Sequence, residues 1–355
     1  MTTITTPISI LEFGSTHIRL AIYDENYLSR SYFYEEKIEF TKKLNINENH
    51  PVFNLIEKAE KNLGKHLNEI SLVLDSPSIL SLDFAIKKNY ENKKITNQDI
   101  DYLINESEQI INKYNKSKEI LHTIKSQIII DNEMIEDFEF ITKNVKNLVI
   151  ELKFILINKS NLDFVRNLLL KKHISIKNIF CTSYLKSLGL LNKLNIRDYT
   201  SFIDIGLKKS SLTIFNDKKL LFLNNTHIGG HHITKDISQV LNIDYRKAEA
   251  EKLKFSKKNK IENNSEDKEL LKNIINSRLE EIIELLFFDC PLVKNKAFNS
   301  SLKLYFIGYG SKVLNKNLLS FESELGFINE MSIIEEEKRD CCDEAAKFKK
   351  NIEKI

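Results

Sequence analysis

Two short stretches carry residue types that could hold phosphate. In SFIDIGLKKSSLTIF, Ser201 to Phe215, the carboxylate of Asp204 stands before a turn at Gly206, and Lys208, Lys209 and Ser210 follow. In SILEFGSTHIRLAIY, Ser9 to Tyr23, Glu12 stands before Gly14, and Ser15, Thr16 and His17 follow. Placing Glu12 on Asp204 brings Gly14 onto Gly206, Leu20 onto Leu212, Ile22 onto Ile214 and Tyr23 onto Phe215 without a gap. Each stretch reads as strand, tight turn, strand. At a hairpin tip, backbone N–H groups point outward and can bind anionic oxygens. Glycine lets that backbone approach closely, and a strand-end carboxylate can hold a hydrated Mg2+ that shields phosphates. Two such tips facing each other would clamp a triphosphate. A third glycine turn, in LKLYFIGYGSKVL, sets Gly308 and Gly310 before a helix start, an arrangement suited to a nucleotide's phosphates or adenosine.

The elements that must position these turns follow from hydrophobic periodicity. Alternation from Ile8 to Tyr23 predicts the first hairpin, and YLSRSYFYEEKIEF adds further strand. A helix from Phe53 to Asn68 precedes a buried strand, ISLVLD. Residues 81–160 differ in character: a helix with Thr96 as N-cap, the strands EILHTIKSQIII, FEFIT and NLVIELKFILI, and a second helix capped by Ser160. They read as a compact α+β unit inserted between two strands of the main fold. CTSYLKSLGLLNKL is a helix leading to the second hairpin, THIGGHHITKDISQVL is a glycine turn opening a helix, and YRKAEAEKLKF is the next helix. The polar stretch Ser256 to Lys268 reads as a loop. A long helix from Glu269 to Phe288 carries the stripe Leu271, Ile275, Leu279, Ile282 and Leu286, which at helical period means core. The class is α/β.

With 355 residues the chain has material for two or three domains. A net charge of +3 gives no concentrated basic face, so no nucleic-acid partner is expected. Cys181, Cys290, Cys341 and Cys342 show neither metal-ligand spacing nor a disulfide framework. The N-terminus lacks a signal-peptide pattern, and no apolar run approaches the roughly 18 residues of a membrane span. A cytoplasmic location is therefore expected. Only nine glycines are present, so each is the more expected to be required where it stands.

The paired hairpins and the third glycine turn resemble the actin-like ATPase superfamily. Within it, the order LHTIKSQIIIDN, NLVIELKFILINKSNLDFVRNLLLKKHISIKNIFCTSYLKSLGLL and SFIDIGLKKSSLTIFNDKKLLFLNNTHIGGHHITKDISQVLNIDYRKAEAEKLKF resembles the FtsA family of bacterial cell-division proteins. The inserted unit matches that family as well. The resemblance implies an actin-like (ribonuclease H-like) two-lobed ATPase fold with a small inserted α+β subdomain. It divides the chain into residues 1–80 (first lobe), 81–160 (insert), 161–200 (return and connecting helix), 201–335 (second lobe) and 336–355 (C-terminal helix). It implies ATP with Mg2+ as ligand. The nucleotide-binding residues carried over are Gly14, Ser15, Thr16 and His17, then Gly206, Lys208, Lys209 and Ser210, then Gly230, Glu249 and Lys252, then Gly308, Gly310 and Ser311. Glu12 and Asp204 would hold Mg2+ through water. The implied role is a polymer-forming adaptor linking the tubulin-like protein FtsZ to the membrane and the septal machinery. Its place would be the cytoplasmic face of the membrane at the division site.

The chain departs from the family at its tips. The usual Asp and Lys of the first hairpin are Glu12 and His17. Leu207 and Lys208 replace two glycines of the second, and Tyr309 replaces one in the adenosine turn. Lys208 or Lys209 could set an ammonium near phosphate where the first hairpin has lost one. No residue presents itself as base for an attacking water, so no catalytic residue is assigned and hydrolysis is expected to be weak or absent. His227, His231 and His232 cluster without a cysteine or carboxylate to complete a metal site, and read as turn histidines near the nucleotide. At the C-terminus, Cys341, Ala345, Phe348, Ile352 and Ile355 form one stripe with lysines beside it. A membrane-surface helix would look similar, but the small residues and the missing linker favour a helix packed on the core. Two rival functions share the core fold: a pilus-assembly protein of PilM type, and a small-molecule kinase, against which the insert argues.

Overall fold

The computed structural model describes residues 7–24, 29–38, 50–135, 144–257, 266–294, 302–314, 328–334 and 340–352. In order, the elements are β1 (Ile8–Phe13), β2 (His17–Tyr23), β3 (Arg30–Lys37), α1 (Pro51–Leu63), β4 (Glu69–Leu74), β5 (Leu80–Lys94), α2 (Asn97–Tyr114) and β6 (Lys118–Ile130). Then come β7 (Glu133–Ile135), β8 (Asn144–Asn158), α3 (Lys159–Leu170), β9 (Ser175–Cys181), α4 (Thr182–Leu194), β10 (Thr200–Ile205), β11 (Ser210–Asn216) and β12 (Lys219–Thr226). The remainder are α5 (Gly230–Val240), α6 (Tyr245–Lys257), α7 (Glu266–Phe287), α8 (Pro291–Lys294), β13 (Leu302–Ile307), a 3-10 turn Gly310–Val313, β14 (Ile328–Ile333) and α9 (Cys342–Ile352).

The chain folds as two compact units, Met1–Pro77 with Leu169–Ile355, and Ser78–Leu168. In the first, the duplication seen in the sequence becomes two sheets of one topology. Their strand orders are β3-β2-β1-β4-β9 and β12-β11-β10-β13-β14. In each, three strands run as an antiparallel meander and the first of them pairs in parallel with a later strand. Ile8↔Tyr23 to Phe13↔Ile18 in one hairpin matches Thr200↔Phe215 to Ile205↔Ser210 in the other, so Glu12 and Asp204 hold equivalent places. The inner strands are buried on both sides, which is why they read as near-continuous apolar runs, whereas β3 alternates as a half-exposed edge strand should. Behind the second sheet, the stripe of α7 is buried as its period required, Leu271 least and Ile275, Leu279, Ile282 and Leu286 fully.

Helix α1 stops earlier than its pattern suggested, because Gly64 takes the left-handed conformation (φ 65°) as its C-cap. At α2, Thr96 meets the Asp99 carboxylate through both its N–H and its hydroxyl, each at 2.8 Å. Ser160 lies inside the first turn of α3 rather than at its cap. Cys181 ends β9 and stands before α4 rather than within it.

The second unit opens with a strand, not the expected helix. β5 joins a sheet ordered β5-β8-β6-β7, closed by α2 over Leu103, Ile111, Val145, Leu148, Ile150 and Phe154. Of the loop expected from Ser256 to Lys268, Ser256 and Lys257 instead end α6 and Glu266 to Lys268 begin α7; residues 258–265, like the stretch FEFIT, lie outside the described residues.

Helix α9 packs into the first unit. Cys341, Cys342, Ala345 and Ala346 are buried, and the Phe348 ring stands edge-on to Phe180 and Tyr184 with both centroids 5.9 Å away. Arg30 pairs with Asp340 at 2.7 Å and Asp343 at 2.6 Å, and the Tyr23 hydroxyl donates to Asp343. The small residues of the stripe are what allow this close approach. Ile355 lies outside the described residues. No described helix is long and apolar enough to cross a membrane.

Candidate functional site

The second hairpin ends in a four-residue tip, Gly206 to Lys209, closed by Gly206 N–H donating to Lys209 O at 2.9 Å. The N-terminus of α5 sits directly on this tip: Gly230 N–H donates to Gly206 O at 2.9 Å and His231 N–H to Leu207 O at 2.8 Å. Such an approach excludes a side chain at Gly229, where a Cβ would stand 2.6 Å from Gly206 O and 2.8 Å from Lys209 N. From α6, the buried Lys252 ammonium donates to Gly230 O at 3.0 Å, Thr234 Oγ1 at 2.6 Å and Glu249 Oε2 at 2.7 Å. Burial pushes its pKa down and Glu249 opposes the shift. Thr234 also donates to Glu249.

The third glycine turn closes on the same place. Gly308 is left-handed (φ 86°) and lies against the Asp204 carboxylate, with Ser311 Oγ donating back to its carbonyl at 2.6 Å. Gly310 packs on Ile205, whose carbonyl would stand 2.7 Å from a Cβ there. Only a single 3-10 turn follows, not the expected helix. A Cβ built on Gly230 would reach Gly310 Cα at 3.8 Å. The structure thus gathers Asp204, Gly206, Gly230, Glu249, Lys252, Gly308, Gly310 and Ser311. The buried Ser210 donates to Ile228 O at 2.8 Å and so braces the loop before α5.

The two carboxylates expected to share a hydrated Mg2+ are each met by a protein cation instead. Lys186 of α4 lies 2.9 Å from Asp204 Oδ2. Glu12 is buried; it accepts from Arg19 Nη1 at 3.3 Å and, ahead of α9, from Cys341 N–H at 3.1 Å. Burial raises its pKa to about 7 against the pull of Arg19. Lys209, expected near phosphate, forms an ion pair with Asp75 at the end of β4, while Lys208 is exposed. At the first tip, Gly14 N–H donates to His17 O at 2.9 Å and the His17 ring lies 2.9 Å from Thr16 Oγ1. Ser15 lies between Gly14 and Thr16 in the same turn.

The histidines divide. His227 is exposed, His232 Nδ1 accepts from Gly229 N–H at 3.1 Å, and His231 Nδ1 lies 2.8 Å from the Tyr245 hydroxyl. Burial lowers the pKa of His231, and His232, Lys235, Lys208 and Lys252 add to the shift. Among the described residues, the trio of potential metal ligands lying within 4.8 Å of one another is Glu12, Asp340 and Cys342, which includes no histidine.

Lys186 and Asp75 are the residues that the sequence reading missed. Asp75 had a signal, since it directly follows β4, much as Glu12 and Asp204 stand one residue before the ends of β1 and β10. Lys186 had none, because helical period does not say which face of α4 meets which strand end.

A sequence model of the family described as "Cell division protein FtsA" matches residues 201–332, the segment holding every second-hairpin and glycine-turn residue above. "Cell division protein FtsA" of Helicobacter pylori (strain ATCC 700392 / 26695) is 24% identical over 138 residues, 39% of this chain and 28% of that protein. The FtsA of Rhizobium meliloti (strain 1021) is 23% identical over 137 residues, 33% and 30% of the two chains. The match thus spans under a third of these curated relatives. Among solved structures, a "PilM-PilN type IV pilus biogenesis complex" superposes with TM-score 0.59 at 13% identity, covering 93% of this chain and 88% of that one. "MreB 5 of Spiroplasma citri bound to AMPPNP" does so with TM-score 0.51 at 12% identity, covering 99% and 98%. The chain has an actin-like ATPase fold, and over residues 201–332, the segment that carries the second hairpin, its sequence is similar to the FtsA family.

Proposed function

We propose that this chain binds a nucleotide of the ATP class where the second hairpin, the start of α5, helix α6 and the third glycine turn converge. The observation that carries the reading is Gly230. A Cβ there would make only ordinary contacts, 3.6 Å to Gly206 O, 3.8 Å to Gly310 Cα and 3.9 Å to Lys252 Nζ, and its φ is not left-handed. Neither packing nor backbone conformation requires glycine at a helix start, whereas close approach of a ligand would. Lys208 would face the phosphates, with Gly14, Ser15, Thr16 and His17 supplying the opposing tip. Glu249 and Lys252 would set the ribose side, and Gly308, Gly310 and Ser311 the adenosine side. When bound, the nucleotide supplies phosphate charge that orders the two tips. The chain's own part is to bind and orient it; no described residue is assigned as base for an attacking water, and turnover is expected to be slow or absent. The MreB neighbour bound AMPPNP on this fold. Glu12 and Asp204, the carboxylates that the resemblance assigns to Mg2+, each already meet a cation of the chain.

Beyond the site, we take the role to be that of an FtsA-like adaptor in cell division. It would self-associate into filaments, bind an FtsZ-like tubulin homologue and septal proteins, and work on the cytoplasmic side of the membrane, reaching an anionic surface peripherally. The matched segment and the curated relatives support this role. A PilM-type role is the alternative, favoured by the extent of structural likeness to the PilM complex. Copelleting the chain with the FtsZ-like protein of the same cell, with and without ATP, separates them. Binding to FtsZ polymers supports the division role. Binding to a PilN-type partner and not to FtsZ overturns it.

A further inference from the structure

Three carboxylates at or beside strand ends are each matched with a cation of the chain itself. Glu12 has Arg19, Asp75 has Lys209, and Asp204 has Lys186. In the parts list of a magnesium-dependent site, Asp204 is the residue that would hold the hydrated ion. Here its Oδ2 is 2.9 Å from the Lys186 ammonium, and its Oδ1 is wedged against the backbone of Gly308. Its counterpart Glu12 is closed off by the Arg19 guanidinium and the Cys341 N–H, with the Cys342 thiol 3.7 Å away. Lys186 also lies within electrostatic reach of Glu12. One monovalent cation, fixed on a helix, thus already meets the carboxylate oxygen that a divalent ion would use.

We infer that this protein takes its nucleotide as the free anion, without a divalent metal, and that Lys186 supplies beside Asp204 the positive charge that Mg2+ would otherwise bring. The inference rests on the nucleotide reading above and deepens it. Mg2+ holds its hydration shell tightly and demands near-octahedral oxygen ligation. Entering beside Asp204 would require it to displace an ammonium already hydrogen-bonded there, so two like charges would share one carboxylate. The lysine keeps about a fifth of its side-chain surface accessible, so it can be approached by an anionic oxygen while remaining on Asp204. A lysine meets phosphate as a point charge with several donors, which suits this dual contact.

The test uses the intact chain and two readouts. In the first, ADP and ATP are titrated in Mg2+ and in EDTA. The wild type should bind equally within about threefold in both, and Lys186→Gln should lose about tenfold or more in EDTA and recover with Mg2+. In the second, no nucleotide is present, and Mn2+ is titrated by electron paramagnetic resonance. The wild type should show no site that Asp204→Asn removes, whereas Lys186→Gln should gain one. A wild type whose nucleotide affinity falls about tenfold in EDTA, or which takes up one Mn2+ lost in Asp204→Asn, overturns the inference. If no nucleotide binds under either condition, the nucleotide reading fails, and the Mn2+ titration still decides whether Lys186 fills the metal's place. Should Lys186→Gln not fold, the wild-type measurements alone decide.

Discussion

Gly230 and Gly310 are both glycines opening a helical turn, yet they stand for different reasons. At Gly310 a Cβ would strike Ile205, and so Gly310→Val should fail as a protein before it fails as a binder. At Gly230 a methyl group has room. Gly230→Ala should therefore keep or slightly raise the melting temperature, by the equivalent of about 0.5–1 kcal/mol expected for removing glycine from a helix. It should at the same time weaken nucleotide binding about tenfold or more. Thermal unfolding alongside an ATP titration checks both halves, and equal affinity in the variant would remove the argument from Gly230. Position-by-position matching found both glycines from the sequence. What it could not give is the atom each one meets, because Ile205 and Gly310 come together only once β10 and β13 lie side by side. Glu12 offers a second test. Its folded pKa, about 7, lies above its ordinary 4.5, so the folded state binds the proton more tightly. The stabilisation is complete below the unfolded pKa and is lost as pH rises through the folded one. Between pH 5.5 and 8 the wild type should lose about 2 kcal/mol that Glu12→Gln does not lose. Urea unfolding at the two pH values measures the difference, and parallel slopes would mean that Glu12 is not buried as described.

Among the elements, the two hairpins were legible because both strands of each are apolar and the registers repeat. β5 was not. Its residues alternate as a half-exposed strand must, but the exposed set is rich in Lys and Asn, which reads as loop. Long-range pairing with β8 makes it a strand, and that partner lies far along the chain. Helix α9 was legible as a stripe and as a choice between membrane and core; the partners that settle its packing, Arg30, Phe180 and Tyr184, are remote in sequence. Deleting Asp340 to Ile355 strips Arg30 of two carboxylates and uncovers Glu12, which should cost on the order of 3–5 kcal/mol. The truncated chain should melt several degrees lower or fail to purify. A truncation that melts like the full chain yet loses binding to anionic vesicles would show instead that the segment serves the membrane.

On the scale of the whole molecule, the actin-like architecture rests on one topology used twice, with the order β3-β2-β1-β4-β9 repeated as β12-β11-β10-β13-β14. The sequence exposed the repeat only at its hairpins, where strand, turn and strand are contiguous. The parallel partners β4 and β13 follow β1 and β10 at different distances along the chain. A nucleotide is expected in the cradle formed around the second hairpin, the start of α5, α6 and the turn after β13. A ligand present at about 100 times its Kd should stabilise the fold by roughly 2.7 kcal/mol, but stabilisation does not locate it. Photo-crosslinking with 8-azido-ATP, read by mass spectrometry of peptides, does. Label is expected on α6, Tyr245–Lys257, or on the turn after β13, suppressed by excess ATP and lost in Gly230→Ala. Label confined to Ser78–Leu168, or no label that ATP suppresses, would contradict it.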